Sequence, residues 1–186
     1  VDDTPCGGGA GMVLKPEPIY AAVRDIREKT AALAKRRCTI LFDPAGEVFT
    51  QKMAKELAAY EQLILICGHY EGFDRRVYDL ADRLISVGDF VLTGGELPAM
   101  LIVDATARML PGVLGDDTSA PTDSFFDVLL GYPQYTRPRE FEGKAVPDVL
   151  LSGNHAAIAR WRREQSLLAT LRHRPELLPR AKLGAE

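Results

Sequence analysis

The chain has 186 residues, enough for one moderate domain or a domain with a smaller appendage, and 46% of them are apolar, which excludes wholesale disorder. Its longest apolar runs, such as 63–67 and 100–103, are far too short to span a bilayer, and no basic, apolar leader opens the chain at Val1. The formal net charge of −3 argues mildly against a nucleic-acid partner for the chain as a whole.

The opening Gly7-Gly8-Gly9-Ala10-Gly11 reads as a flexible or tightly turning loop. A helix is expected over 17–37, with Ile19, Val23, Ile26 and Leu33 sharing one face. A short strand over 38–42 follows and is broken by Asp43-Pro44-Ala45-Gly46, after which Thr50 can cap a helix reaching residue 60. The run 62–67 is continuously apolar, as in a strand buried on both faces. A short helix over 75–80, strands over 83–87 and 90–93, and a helix over 97–110 complete a strand–helix alternation that predicts a parallel α/β sheet.

Composition changes after Gly115. Residues 116–145 are rich in Asp, Pro, Thr and Gly, with one short helix expected over 124–130. A last helix over 155–173 places Ile158, Trp161, Gln165 and Leu168 along one side. We divide the chain into a first domain over 1–115, a linker over 116–123 and a small, mainly helical domain over 124–186. That last domain carries a basic stretch, Arg160, Arg162, Arg163, Arg172, Arg174, Arg180 and Lys182 against Glu164 and Glu176, which suits either phosphate contact or a solvated helix face. The cysteines Cys6, Cys38 and Cys67 form no C-x-x-C pair for zinc and read as reduced cytosolic thiols.

Three glycine-containing loops, 43–46, 68–72 and 88–95, follow three successive expected strands. Ligands in open α/β sheets bind where such loops converge, beyond the carboxyl ends of the strands. None of the three matches G-x-G-x-x-G or carries G-K-[S/T], which disfavours a dinucleotide or a nucleoside triphosphate.

The wording of these loops is more specific than their spacing. Cys67-Gly68-His69-Tyr70-Glu71-Gly72-Phe73-Asp74 and the run from Ser86-Val87-Gly88-Asp89 to Gly94-Gly95-Glu96-Leu97-Pro98-Ala99 resemble the tRNA (guanine-N1)-methyltransferases of the knotted SPOUT superfamily. Pro111-Gly112-Val113-Leu114-Gly115, Asp123-Ser124-Phe125 and Leu150-Leu151-Ser152-Gly153-Asn154-His155 extend the resemblance, in the family's order, to about Leu178. It implies a SPOUT-type parallel sheet with a deep trefoil knot, a cytoplasmic homodimer with an active site shared between subunits, and a βα unit ahead of Val1. It also implies the reaction: methyl transfer from S-adenosylmethionine to N1 of guanosine 37 in a tRNA with guanosine at 36.

Carried over by motif, Gly68, Val87, Gly88, Asp89, Phe90, Val91 and Leu92 would hold the donor's adenosine, with Pro44, Tyr70, Gly94, Gly95 and Pro98 completing the walls. Glu71 would meet the donor's ribose or its cationic sulfur. The resemblance assigns Asp123 as the base that deprotonates N1, because protonated N1 is a poor nucleophile, and Arg108 as the cation that stabilises charge spreading to O6. On local sequence alone, Asp123 would be a helix N-cap and Arg108 a last-turn surface cation. Ser119, Asn154, His155 and Arg160 are the tRNA-contact candidates, whereas Trp161 reads as core. Cys6 and His69 stand where the family commonly has tyrosine and arginine. Magnesium is an ion the family draws on, yet no carboxylate cluster suggests a cage, so no metal ligand is assigned. Rival readings are a ribose methyltransferase of the same fold, a noncatalytic RNA-binding scaffold and, remotely, an oxidoreductase.

Overall fold

The computed structural model describes residues 1–116 and 119–181. Asp117 and Thr118 of the expected linker, and residues 182–186 with Lys182 of the basic run, lie outside the described residues. Contacts along the chain divide it into two compact units, Val1–Val113 and Leu114–Glu186.

The first unit opens with a two-residue antiparallel pair, β1 (Asp2–Asp3) and β2 (Val13–Leu14), which ties off the glycine loop between them. Helix α1 (Pro16–Lys29) starts with proline in its first turn, where the missing amide costs nothing. It stops eight residues before the expected end. The Thr30 hydroxyl donates to the Ile26 carbonyl at 2.7 Å and the chain turns away, leaving Leu33 in solvent rather than on the buried face.

Strand β3 (Arg37–Val48) corrects another expectation, because Asp43-Pro44-Ala45-Gly46 does not end it. β3 pairs in parallel with β5 (Arg83–Ser86) at Ile40–Phe42, leaves the ladder for four residues, and rejoins at Glu47–Val48. Gly46 permits the return, since a Cβ there would lie 2.5 Å from the Ile85 amide nitrogen. Arg83 then pins the far side, bonding Glu47 at 2.8 Å and Glu56 at 3.1 Å. On its other edge β3 pairs in parallel with β4 (Gln62–Ile66), so the sheet order is β4-β3-β5.

Alternation along β3 builds two cores. Cys38 and Ile40 pack with Ile85, with Met53 and Leu57 of α2 (Gln51–Leu57), and with Ile102 of α3 (Glu96–Ala107). Leu41 joins Ile64, Ile66, Val23 of α1 and Val77 of a 3-10 helix, Arg75–Leu80, on the opposite face. The sheet is thus covered on both sides, as its continuous apolar strands require. Thr50 caps α2 as expected, accepting from the Met53 amide at 3.3 Å.

The expected strand over 90–93 does not form. Gly88, at φ 145, and a bond from the Phe90 amide to the Gly88 carbonyl turn the chain out of the sheet. It returns through a single bridge between Gly94 and His69.

In the second unit, a four-residue helix α4 (Ser119–Thr122) stands just before the helix expected over 124–130, which is absent. Phe125 and Val128 sit at φ 68 and 78, values no right-handed helix accommodates, so Asp123 caps no helix there. A small hairpin, β6 (Glu140–Phe141) and β7 (Lys144–Ala145), precedes α5 (Asp148–Leu151) and α6 (His155–His173). Thr170 of α6 is buried and takes the Leu130 amide at 3.0 Å, and Leu129 and Leu177 are buried too. Ile158, Trp161 and Gln165 are half-buried, but Leu168 is exposed. Among the described residues no helix is long and apolar enough to cross a membrane.

Candidate functional site

A cleft of about 250 Å³ opens in the first unit at the carboxyl ends of β3, β4 and β5. The three strands deliver one loop each. Phe42 comes from β3 and Asp43 and Pro44 from its excursion, Gly68 to Phe73 from the chain after β4, and Ser86 to Gly95, Asp89 apart, from the end of β5 and the chain after it. The strand order places this cleft where the chain crosses from one side of β3 to the other, the position at which parallel sheets present loops to ligands.

The expected donor residues Pro44, Gly68, Tyr70, Glu71, Val87, Gly88, Phe90, Val91, Leu92, Gly94, Gly95 and Pro98 all line this cleft. Asp89 does not. It stands at the apex of the tight turn closed by the Phe90 amide and is exposed.

Two loops of the cleft are fastened together across 27 residues of sequence. The Gly95 amide donates to the Gly68 carbonyl at 2.9 Å, and His69 Nε2 meets Glu96 Oε1 at 2.7 Å. The Glu96 carboxyl is held below its ordinary range by its own backbone amide and by His69. Burial, reinforced by Glu96, pushes the Cys67 thiol up, so it stays protonated at neutral pH.

The 68–72 loop is backed by the N-terminal segment. Glu71 and Leu14 amides donate to the Met12 and Gly72 carbonyls, and Gly11 approaches so closely that a Cβ would lie 2.6 Å from the Glu71 Cγ. The opening glycine cluster therefore serves the site, which its reading as a loop alone did not reveal. Tyr70 adopts φ 59, an unusual conformation for a residue with a side chain, and such strain concentrates at functional loops. Deeper in the wall, Tyr78 donates to Asp43. Burial and that bond push the Tyr78 hydroxyl up to about 12.

The electrostatics select among ligands. Among the described residues the lining contains two carboxylates, Asp43 and Glu71, and no lysine or arginine. A phosphate-bearing ligand would find no cation there, whereas a cationic sulfonium beside Glu71 is favoured, and apolar Val87, Leu92 and Pro98 suit a planar base. The residues present thus fit S-adenosylmethionine. Among the described residues no group of three His, Cys, Asp or Glu could hold a metal ion.

Arg108 closes the C-terminal end of α3 in the first unit, and Asp123 follows α4 in the second. Ser119 begins α4, and its carbonyl accepts the Thr122 hydroxyl at 2.9 Å. Asn154 is the N-cap of α6, accepting from the Ala157 amide at 3.1 Å, and His155 and Arg160 are exposed along that helix. None of these four tRNA-contact candidates lines the cleft of the first unit.

The family model described as tRNA (guanine-1)-methyltransferase TrmD matches residues 1–180. Proteins named tRNA (guanine-N(1)-)-methyltransferase are similar along the whole chain. That of Moorella thermoacetica is 59% identical, with 74% of its own length covered, that of Halalkalibacterium halodurans 58% with 75% covered, and that of Syntrophotalea carbinolica 57% with 73% covered. With its three loops, its cation-free cleft and this match across both units, the chain belongs to the tRNA (guanine-1)-methyltransferase family.

Proposed function

We propose that this chain transfers a methyl group from S-adenosylmethionine to N1 of guanosine 37 in tRNAs with guanosine at position 36. The observation that carries this reading is the cation-free cleft of three glycine loops in a chain that matches the family over residues 1–180. When bound, S-adenosylmethionine supplies an electrophilic methyl carbon on a sulfonium. The protein's part is to orient and deprotonate. Glu71 faces the donor's ribose or sulfonium, and the main chain from Val87 to Leu92 holds the adenine edge. Asp123 takes the N1 proton, and Arg108 stabilises the negative charge that moves to O6.

The first unit is the donor domain and the second the tRNA domain in this reading. The SPOUT trefoil knot is the proposed route of the chain around the cleft, supported by the fastening of the 68–72 and 88–95 loops. A homodimer with Asp123 acting on the partner's donor is supported by α3. This helix is apolar on nearly every side, with Leu97 63% and Met100 67% exposed and Leu101 beside them. A helix without a polar face expects cover on all sides. The proposed compartment is the cytoplasm.

The test is labelled-methyl transfer to an unmodified transcript carrying guanosine at 36 and 37, beside a twin with adenosine at 37. Methylation of the first alone is expected, with Asp123→Ala lowering the rate by about 10²–10⁴-fold, the usual contribution of a general base. Equal methylation of both transcripts would sink the guanine-N1 assignment.

A further inference from the structure

The second unit contains a larger cleft, about 990 Å³, between the segment 132–139 and the helices α5 and α6. Its chemistry differs from that of the donor cleft. Tyr132, Tyr135, Arg137, Arg139, Trp161 and Arg162 all line it, and among the described residues no acidic one does. The rings are braced. Tyr135 and Trp161 meet in a tilted pair with centroids 6.3 Å apart, and the Arg162 guanidinium lies 4.8 Å over the Tyr132 ring. Tyr135 is nevertheless 49% exposed, and Arg137 and Arg139, two and four residues further on, are exposed as well.

Resting on the reading of the chain as a tRNA methyltransferase, we propose that this cleft seats an unpaired nucleotide of the tRNA, its base stacked on Tyr135 and its phosphate held by Arg137 and Arg139. At about 990 Å³ the cleft has room for a nucleotide. Ring exposure decides part of the argument. A base offers its face only when unstacked from a helix, and aromatic side chains are the platforms that receive it. The arginines decide the rest, since three cations without a carboxylate in the lining favour a phosphate over a neutral or cationic ligand. Trp161 is then the brace behind the platform rather than an inert core residue.

Trp161 is the single tryptophan of the chain, so its emission reports on this cleft alone. Titrating the full chain with the transcript of the transfer assay is expected to quench that emission. Tyr135→Ala should raise KM for tRNA about tenfold, the loss expected from one stacked base. Tyr135→Phe, which keeps the ring, should restore the wild-type value, and the donor's Kd should stay unchanged in both. Arg137→Gln should lower the slope of log affinity against log salt by about 0.7, the signature of one lost phosphate contact on a single strand. Methyl transfer with Trp161 emission unmoved by tRNA and KM unchanged in Tyr135→Ala would overturn the nucleotide seat and leave the methyltransferase reading standing. Quenching with the expected salt slope but no methyl transfer would support the seat and remove that reading.

Discussion

At Gly95 there is no room for a side chain. A Cβ would lie 2.7 Å from the Cys67 Cα and 2.8 Å from the Gly68 amide nitrogen, main-chain atoms that cannot rotate aside. The same close approach carries the bond from the Gly95 amide to the Gly68 carbonyl. Gly95→Ala must therefore part the two loops, costing about 1–3 kcal/mol of stability as overpacking does. Donor affinity should fall by roughly tenfold or more, equivalent to about 1.4 kcal/mol, in a calorimetric titration. Unchanged affinity would mean that the loops need not touch for the donor to bind. Gly72 is the contrast: open space surrounds its missing Cβ, and only its φ of 108 resists substitution. Sequence named both glycines as ligand-loop residues, but which of them is a contact between backbones depends on partners 27 residues apart and is invisible along the chain.

Among the elements, α6 makes the clearest test, because Asn154 holds its first turn through the Ala157 amide. Asn154→Ala should destabilise the second unit by about 1 kcal/mol in urea unfolding, while Asn154→Asp keeps the cap and the stability. If alanine lowers tRNA affinity without any loss of stability, the residue is a substrate contact and not a cap. Helices with strong local signals were legible in advance. α6 spans the expected residues, and α2 begins at the expected cap. Two of the misses share a cause, namely that tertiary pairing outranks local propensity. Phe90 to Thr93 is β-prone but is turned out of the sheet at Gly88, and 43–46 looks like a stop but is an excursion held by β5. The helix expected over 124–130 lost to Phe125 and Val128, whose left-handed backbone lets the Phe125 amide reach the Leu129 carbonyl. The two tyrosines and two arginines of 132–139 were present in the sequence, and their significance emerged only when the fold set them against Trp161.

For the molecule as a whole, the donor cleft draws every described lining residue from Val1–Val113. Donor at about 100 times its Kd should therefore add about 2.7 kcal/mol to that unit, raising its calorimetric midpoint by several degrees. The transition of the second unit should stay where it is. A joint shift of both would mean that the two unfold as one. The order β4-β3-β5 carries a further consequence, in time rather than space. The central strand is the first of the three in the chain, so during synthesis it leaves the ribosome before either neighbour does. Its full pairing waits for Ser86, roughly forty residues after Phe42, which at about 5–20 residues per second is several seconds. Through that interval Cys38, Ile40 and Leu41, all fully buried in the finished fold, stand uncovered on a nascent strand with two open edges. The newborn chain, not the folded enzyme, is where this architecture is most exposed to aggregation and most dependent on a chaperone.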